Sequence, residues 1–235
     1  NWMGLAFRTD VPPFDDPRVR EALHLTVDRE EMLQLALDGG GVISCDTPVA
    51  PNDQYRAEME CPANPERARQ LLAEAGYPDG VDVDVHVSAL DPTWPVIGVA
   101  FQEQAARAGI RVNLINAAAD GYWSNVWMKK DAFNTSWGER PADQALNEAF
   151  HSTAKWNETF YTNSKFDQLL ETARAELDFK RRRALYIEAQ EYLAMNSGTI
   201  IPFHVTQLVV LSNRVTHFDP VPNDALRWHL VTVVD

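Results

Sequence analysis

Five of the seven tryptophans lie in or beside segments predicted as loops, strand ends or a short helix, namely Trp94, Trp123, Trp127, Trp137 and Trp156. Aromatic rings beside polar groups make good walls for a small organic solute, because they offer a large contact area with few rotatable bonds. Trp123, Trp127 and Lys130 recur at the helical spacing i, i+4, i+7. A helix face that packs in the core does not usually include a lysine, so this spacing favours a binding surface. The alternative is that the two tryptophans belong to a buried core face.

Motifs for catalysis are missing from the sequence. It contains no Gly-x-Ser-x-Gly elbow, no His-Glu-x-x-His pair and no dinucleotide-binding glycine fingerprint. Its six histidines are scattered, and none lies next to a nucleophile. Carboxylates are numerous, so a carbohydrate-active enzyme or a carbohydrate-binding protein with tryptophan-lined subsites remains an alternative. No cofactor is expected.

The two cysteines, Cys45 and Cys61, lie in a segment rich in Pro, Asp and Asn that is predicted as a long loop. No nearby histidine or third cysteine completes a zinc set, so a metal site is not expected. A disulfide between them would stabilise the fold by roughly 3 kcal/mol and would persist in an oxidising compartment. We predict this disulfide; the alternative is two unpaired, buried cysteines.

Composition and charge narrow the class of protein. The 235 residues are 45% hydrophobic, enough for a sizeable core, and carry a formal net charge of -13. This charge opposes binding to nucleic-acid phosphates or to an anionic membrane surface, so no nucleic-acid partner is expected. The longest uncharged run ends at Asn213 and is interrupted by Pro202, His204 and Gln207, so no membrane span is expected.

The predicted elements indicate an α/β fold. Four valines from Val81 to Val87 alternate with polar residues, which is typical of a half-buried strand. A helix over about 95–108 and a second strand over 110–115 follow, so the two strands are expected to pair in parallel. Further along, 122–130 is predicted as a short helix, 132–137 as a strand and 138–141 as its exit loop.

Several short segments occur in an order and spacing that cover nearly the whole chain. They are Pro13-Phe14-Asp15-Asp16-Pro17-Arg18-Val19-Arg20-Glu21-Ala22-Leu23 with Asp28-Arg29; Pro65-Glu66-x-Ala68 through Leu71-Leu72-x-Glu74-Ala75-Gly76-Tyr77-Pro78; Gly109-Ile110-x-Val112; Asn163 to Asp167 with Leu169-Leu170; Arg181-Arg182 with Leu185-Tyr186 and Gln190; and Ile201-Pro202. Together they resemble the family-five solute-binding proteins of bacterial ABC importers, which include dipeptide- and oligopeptide-binding proteins.

The resemblance implies a lobe of the type II periplasmic-binding-protein kind, with a mixed sheet flanked by helices. Family members are about twice this length and have two lobes around a cleft. Residues 1–213 would then form the C-terminal lobe, and residues 214–235 would return to an N-terminal lobe that this sequence lacks. Without that lobe, residues that would pack against it are expected to be exposed or rearranged, namely Val215, Phe218, Trp228 and Leu230.

The resemblance also implies which residues contact the solute. The family uses the aromatic helix, the strand that ends in tryptophan and its exit loop, which correspond here to Trp123, Trp127, Lys130, Asn134, Trp137, Gly138, Glu139 and Arg140. Trp94 belongs to the same predicted site. Peptide-binding members carry an acidic residue after the tryptophan, a place that Glu139 could take. Arg140 would suit a carboxylate or hydroxyls instead, and an exposed Glu139–Arg140 ion pair is the alternative.

The function that the resemblance implies is that of a non-enzymatic importer component exported to the periplasm or held at the cell surface. Its partners would be a small organic solute such as a peptide, the membrane permease of the importer and the N-terminal lobe.

Overall fold

A computed structural model describes residues 1–218 and 227–234. The described residues form a six-stranded mixed sheet in the order β2-β6-β1-β5-β3-β4 and a two-stranded ribbon, β7-β8. The strands are β1 (Trp2–Phe7), β2 (Gly41–Ile43), β3 (Val81–Ser88), β4 (Ile110–Ala117), β5 (Ala132–Trp137), β6 (Thr199–Val205), β7 (Val215–Thr216) and β8 (Thr232–Val233). The helices are α1 (Pro17–Thr26), α2 (Arg29–Leu37), α3 (Pro65–Glu74), α4 (Thr93–Ala106), α5 (Tyr122–Asn125), α6 (Ala142–Phe150), α7 (Ser164–Ala175) and α8 (Phe179–Asn196).

The predicted strand-helix-strand unit is confirmed. Strand β3 pairs in parallel with β4 along its whole length, and α4 makes the crossover. The valines of β3 are buried, whereas Asp82 and Asp84 point to solvent and contact Arg111 and Asn113 of β4 at 2.7 and 2.9 Å. The polar face of β3 is therefore solvated at Asp82 and Asp84, whereas Ser88 at the end of the strand is buried.

Strand β5 joins the parallel and antiparallel halves of the sheet. It pairs in parallel with β3 and antiparallel with β1, so that Trp137 lies opposite Trp2. Helices cover both faces: the consecutive residues Ile200 and Ile201 belong to two different apolar clusters, one packed against α1 to α4 and the other against α6 to α8. The predicted α/β class, a mixed sheet flanked by helices, is confirmed.

Five of the eight α-helices in the described residues begin at a side-chain cap. Asp16, Asp28, Asn64 and Asp178 each accept a hydrogen bond from a backbone N–H in the first turn of a helix. For α7 the capping residue is Asn163, whose side chain accepts from two backbone N–H groups.

The predicted helix over 122–130 is wrong in extent. Helix α5 ends at Asn125, and Met128 adopts the left-handed backbone region at φ 55°. Such a residue cannot continue a right-handed helix. The chain therefore turns between the end of α5 and the start of β5.

The Cys45–Cys61 disulfide is present, with the two Cα atoms 5.4 Å apart, so the predicted bond is confirmed. The segment 44–50 that it anchors is buried rather than a solvated loop. The buried guanidinium of Arg56 donates hydrogen bonds to the carbonyl oxygens of Ser44 and Val49 in this segment and of Ile43 just before it. These bonds satisfy backbone acceptors that burial removes from water.

Beyond β6 most of the described chain is exposed, although Val215, Thr216, Phe218 and Val231 are half-buried. Leu208 and Val210 are 85% and 94% exposed, and Trp228 is 67% exposed. Residues 219–226 and 235 of the predicted returning segment lie outside the described residues. Among those described, no helix is both long and apolar enough to cross a membrane.

Candidate functional site

A small pocket opens at the carboxyl end of β5. Its volume is about 220 Å³, and its lining residues are Trp123, Trp127, Ser136, Trp137, Gly138, Arg140 and Trp156. We call it the tryptophan pocket. Three segments build it: α5 with the turn after it, the end of β5 with its exit loop, and the loop between α6 and α7. The carboxyl end of a strand in an α/β sheet is a common place for a ligand crevice.

The four indole rings of the pocket contact one another in pairs. Trp123 and Trp127 meet edge to face with ring centroids 5.9 Å apart, and Trp137 and Trp156 do so at 6.1 Å. Trp2 of β1 stacks against Trp137 from the sheet side at 6.4 Å. Trp123 and Trp156 are about half exposed, so their ring surfaces are accessible to a solute.

Arg140 is the cation among the lining residues. Its guanidinium lies over the ring of Trp137, 5.0 Å from the centroid, and its Nε donates to Glu148 Oε2 at 3.0 Å. The ion pair therefore joins Arg140 to α6 and not to Glu139, the alternative partner considered from the sequence. The side chain is still 27% exposed at the pocket, where its remaining N–H groups can meet a carboxylate.

Gly138 leaves the backbone open at the pocket. A Cβ at this position would meet Arg140 Nη1 at 3.7 Å and Asn1 Oδ1 at 3.8 Å, which are ordinary contacts. The protein itself therefore does not require glycine here. What the glycine provides is room for another molecule next to the backbone.

Glu158 lies beneath the pocket and was not predicted from the sequence. Its side chain accepts hydrogen bonds from Trp127 Nε1 at 2.5 Å, Thr135 Oγ1 at 2.8 Å and Trp137 Nε1 at 3.3 Å. Glu158 is only 2% exposed. Burial raises its pKa to about 7, although the three donors act in the opposite direction. Both charge states are thus populated near neutral pH.

Two predicted site residues, Trp94 and Lys130, lie outside the tryptophan pocket. Trp94 is 1% exposed and packs in the core against Tyr122 and Trp123, so it supports the pocket wall from behind. Lys130 is exposed, and because α5 ends at Asn125 it does not continue the helical row of Trp123 and Trp127.

Two more, Asn134 and Glu139, also lie elsewhere. Asn134 is buried on the face of β5 opposite Thr135 and Trp137, since successive strand residues alternate. Glu139 lines a separate cavity of about 210 Å³ together with His204, and its backbone N–H donates to Asn1 Oδ1 at 3.2 Å. The tryptophan pocket therefore unites Trp123, Trp127, Trp137, Gly138 and Arg140 of the predicted set.

A larger cavity of about 490 Å³ lies beside the disulfide and is lined by Leu25, Met59 and Met195 among others. Within the described ranges, no three His, Cys, Asp or Glu side chains come together as they would around a metal ion.

The chain matches the family model described as bacterial extracellular solute-binding proteins, family 5 Middle, over residues 1–157. It is 32% identical over 227 residues to the glutathione-binding protein GsiB of Salmonella typhi, covering 90% of this chain and 44% of that protein. It is 28% identical to the heme-binding protein A of Haemophilus influenzae, covering 93% of this chain and 42% of that protein.

Among solved structures, the periplasmic binding protein DppA of Helicobacter pylori in complex with the peptide STSA superposes with a TM-score of 0.84 at 20% identity. That match covers 100% of this chain and 47% of DppA, and it shows that the fold is that of a type II periplasmic binding protein. The chain spans less than half the length of each of these three proteins. Because the family model covers residues 1–157 of 235, the chain belongs to the bacterial extracellular solute-binding proteins of family 5.

Proposed function

We propose that this chain forms one wall of the solute site of an ABC importer's solute-binding protein, and that the solute binds at the tryptophan pocket. The observation that carries the proposal is the pocket at the end of β5, where indole rings and the guanidinium of Arg140 line one opening. Ring faces supply apolar contact at low entropic cost, and the guanidinium supplies charge-assisted hydrogen bonds. This combination suits a small organic anion with an apolar part.

We assign the solute to the class of peptide-like compounds that bear a carboxylate. GsiB is named as glutathione-binding, and DppA was solved with the peptide STSA. Both peptides carry carboxylates, which a guanidinium binds well. Family 5 proteins are non-enzymatic transport components, so the alternative of a carbohydrate-active enzyme is not supported.

A second lobe completes the site in this proposal. The chain corresponds to less than half of GsiB, and the apolar side chains of Leu208, Val210 and Trp228 are exposed where another domain would cover them. We keep the boundary near residue 213, with residues 214–235 returning to that lobe. The full-length protein would work in the periplasm or at the cell surface and pass its solute to a membrane permease.

Replacing Trp137 with alanine in the full-length protein should lower solute affinity about 10- to 100-fold. The reason is the lost apolar contact of one indole ring, worth about 1 to 3 kcal/mol. Arg140→Ala should lower the affinity for a carboxylate-bearing solute by a similar factor. Isothermal titration calorimetry with glutathione, the dipeptide Met-Leu, heme and a disaccharide measures both effects and identifies the solute class.

Lys130→Ala is the matched control, because this lysine was predicted in the site but lies outside the pocket. It should leave affinity unchanged. Arg140→Ala should shift the melting temperature little, since a partly exposed ion pair contributes about 0 to 1 kcal/mol. A Trp137→Ala variant that folds and binds as tightly as the wild type would contradict the proposal, and tight binding of the disaccharide alone would assign the solute class differently.

A further inference from the structure

Glu158 connects all three segments that build the tryptophan pocket. It lies on the loop between α6 and α7, two residues after the lining residue Trp156. From there its carboxyl group reaches Trp127 in the turn after α5, and Thr135 and Trp137 on β5. One buried side chain thus sets the distances between walls that are far apart in sequence.

The hydrogen bonds leave no spare indole donor on these two rings. An indole has a single N–H and no acceptor, and in both Trp127 and Trp137 that N–H is directed to Glu158. These rings therefore offer a solute their faces and edges, while the guanidinium of Arg140 remains as a polar lining group. Conversely, a carboxyl group buried without these donors would be strongly unfavourable, so the rings and Glu158 stabilise one another.

We propose that Glu158 is the positioning residue of the tryptophan pocket, fixing the indoles of Trp127 and Trp137 so that a solute is recognised by ring faces and by Arg140. This inference rests on the proposed function only where it concerns the effect of Glu158 on solute binding. The positioning itself is a property of the protein without solute. It favours solutes with an extended apolar part over solutes that need an indole N–H as donor.

The charged and ionisable groups around Glu158 allow a spectroscopic test. Tyr122 acts on it electrostatically, but burial raises the pKa of this phenol, so Tyr122 stays neutral near pH 7. Arg140, against Trp137, and Arg8, over the ring of Phe160, carry fixed positive charges. A pH-dependent change at the two indole N–H groups near neutrality would therefore report the carboxyl group of Glu158.

The test is two-dimensional NMR of the full-length protein labelled with 15N-tryptophan, with the two resonances assigned by Trp127→Phe and Trp137→Phe. In the wild type, both indole N–H resonances should shift together between pH 5 and pH 9 with a midpoint near 7. In Glu158→Gln neither should titrate. Glu103→Gln, an exposed carboxylate on α4, is the matched control and should leave both titrating.

Resonances that titrate equally in the wild type and in Glu158→Gln would overturn the inference, and so would indole N–H shifts that are the same in the two proteins at every pH. Where Glu158→Gln does not fold, rapid hydrogen exchange of both indole N–H groups in the wild type would overturn it, because N–H groups bonded to a buried carboxyl group should exchange slowly. Calorimetry with glutathione separates this inference from the proposed function. We expect Glu158→Gln to bind glutathione about tenfold more weakly. If the indole resonances of Glu158→Gln no longer titrate but its affinity for glutathione is unchanged, Glu158 still positions the rings. The proposal that the solute binds at the tryptophan pocket would then be wrong.

Discussion

Replacing Asp46 with asparagine is expected to lower the free energy of unfolding by about 3 to 5 kcal/mol, because it removes the anion from a buried charge cluster. The Asp46 carboxylate contacts the guanidinium of Arg29, accepts from His24 Nδ1 at 2.7 Å and accepts the backbone N–H of Ile201 at 2.8 Å. Both Asp46 and Arg29 are buried. The variant would leave the cation of Arg29 without its counter-ion.

The pKa of Asp46 agrees with this role. Burial alone would raise it, but Arg29 and His24 lower it further than burial raises it, so its net direction is downward. Asparagine is the suitable replacement because Asp46 has φ 63°, a left-handed backbone conformation that asparagine tolerates. Alanine would add backbone strain.

Chemical denaturation of the wild type, Asp46→Asn and the control Asp84→Asn measures the effect. Asp84 is exposed on β3 and bonds only to Asn113 among the described partners, so its variant should change stability by less than about 0.5 kcal/mol. If Asp46→Asn and Asp84→Asn had equal free energies of unfolding, the buried charge cluster would not contribute to stability as expected.

The second large effect is a dependence of stability on pH. Relative to Glu158→Gln, the wild type should lose about 3 kcal/mol of unfolding free energy between pH 4.5 and pH 7. The pKa of Glu158 rises from 4.5 to about 7 on folding. In that pH window the folded state therefore binds more protons than the unfolded state, and stability falls as pH rises.

Glutamine serves as a neutral reference because it cannot ionise. Urea unfolding of both proteins at pH 4.5, 5.5, 6.5 and 7.5 gives the difference directly. Above pH 7 the difference should level off, since Glu158 is then ionised in both states. A difference that is constant across the series would show that the carboxyl group does not resist ionisation in the fold.

Much of the fold could be predicted from the sequence because its signals are local. The alternating valines of β3 and the capping residues Asp16 and Asp28 depend only on neighbours a few positions away. Helix α6 was missed since it has no side-chain cap and follows Pro141 directly. Strand β2 was missed because three residues carry no readable periodicity.

The residues of the tryptophan pocket show the same difference between local signals and contacts that are distant in sequence. Trp137, Gly138 and Arg140 were predicted because a strand that ends in tryptophan is visible in the sequence and in the family resemblance. Glu158 was missed because its burial depends on contacts with β5 and with the turn after α5, and a glutamate between an asparagine and a threonine looks like a surface residue. Lys130 lies outside the pocket because α5 ends at Asn125, so the helical period that placed it beside Trp127 does not continue.

The most direct test of the central claim is a crystal structure of the full-length protein with whichever compound of the calorimetric panel binds most tightly. We expect its apolar part within about 4 Å of the Trp137 ring and a carboxylate oxygen about 3 Å from the Arg140 guanidinium. Electron density for the compound only in the cavity beside the disulfide, near Leu25 and Met59, with none in the tryptophan pocket, would contradict the account.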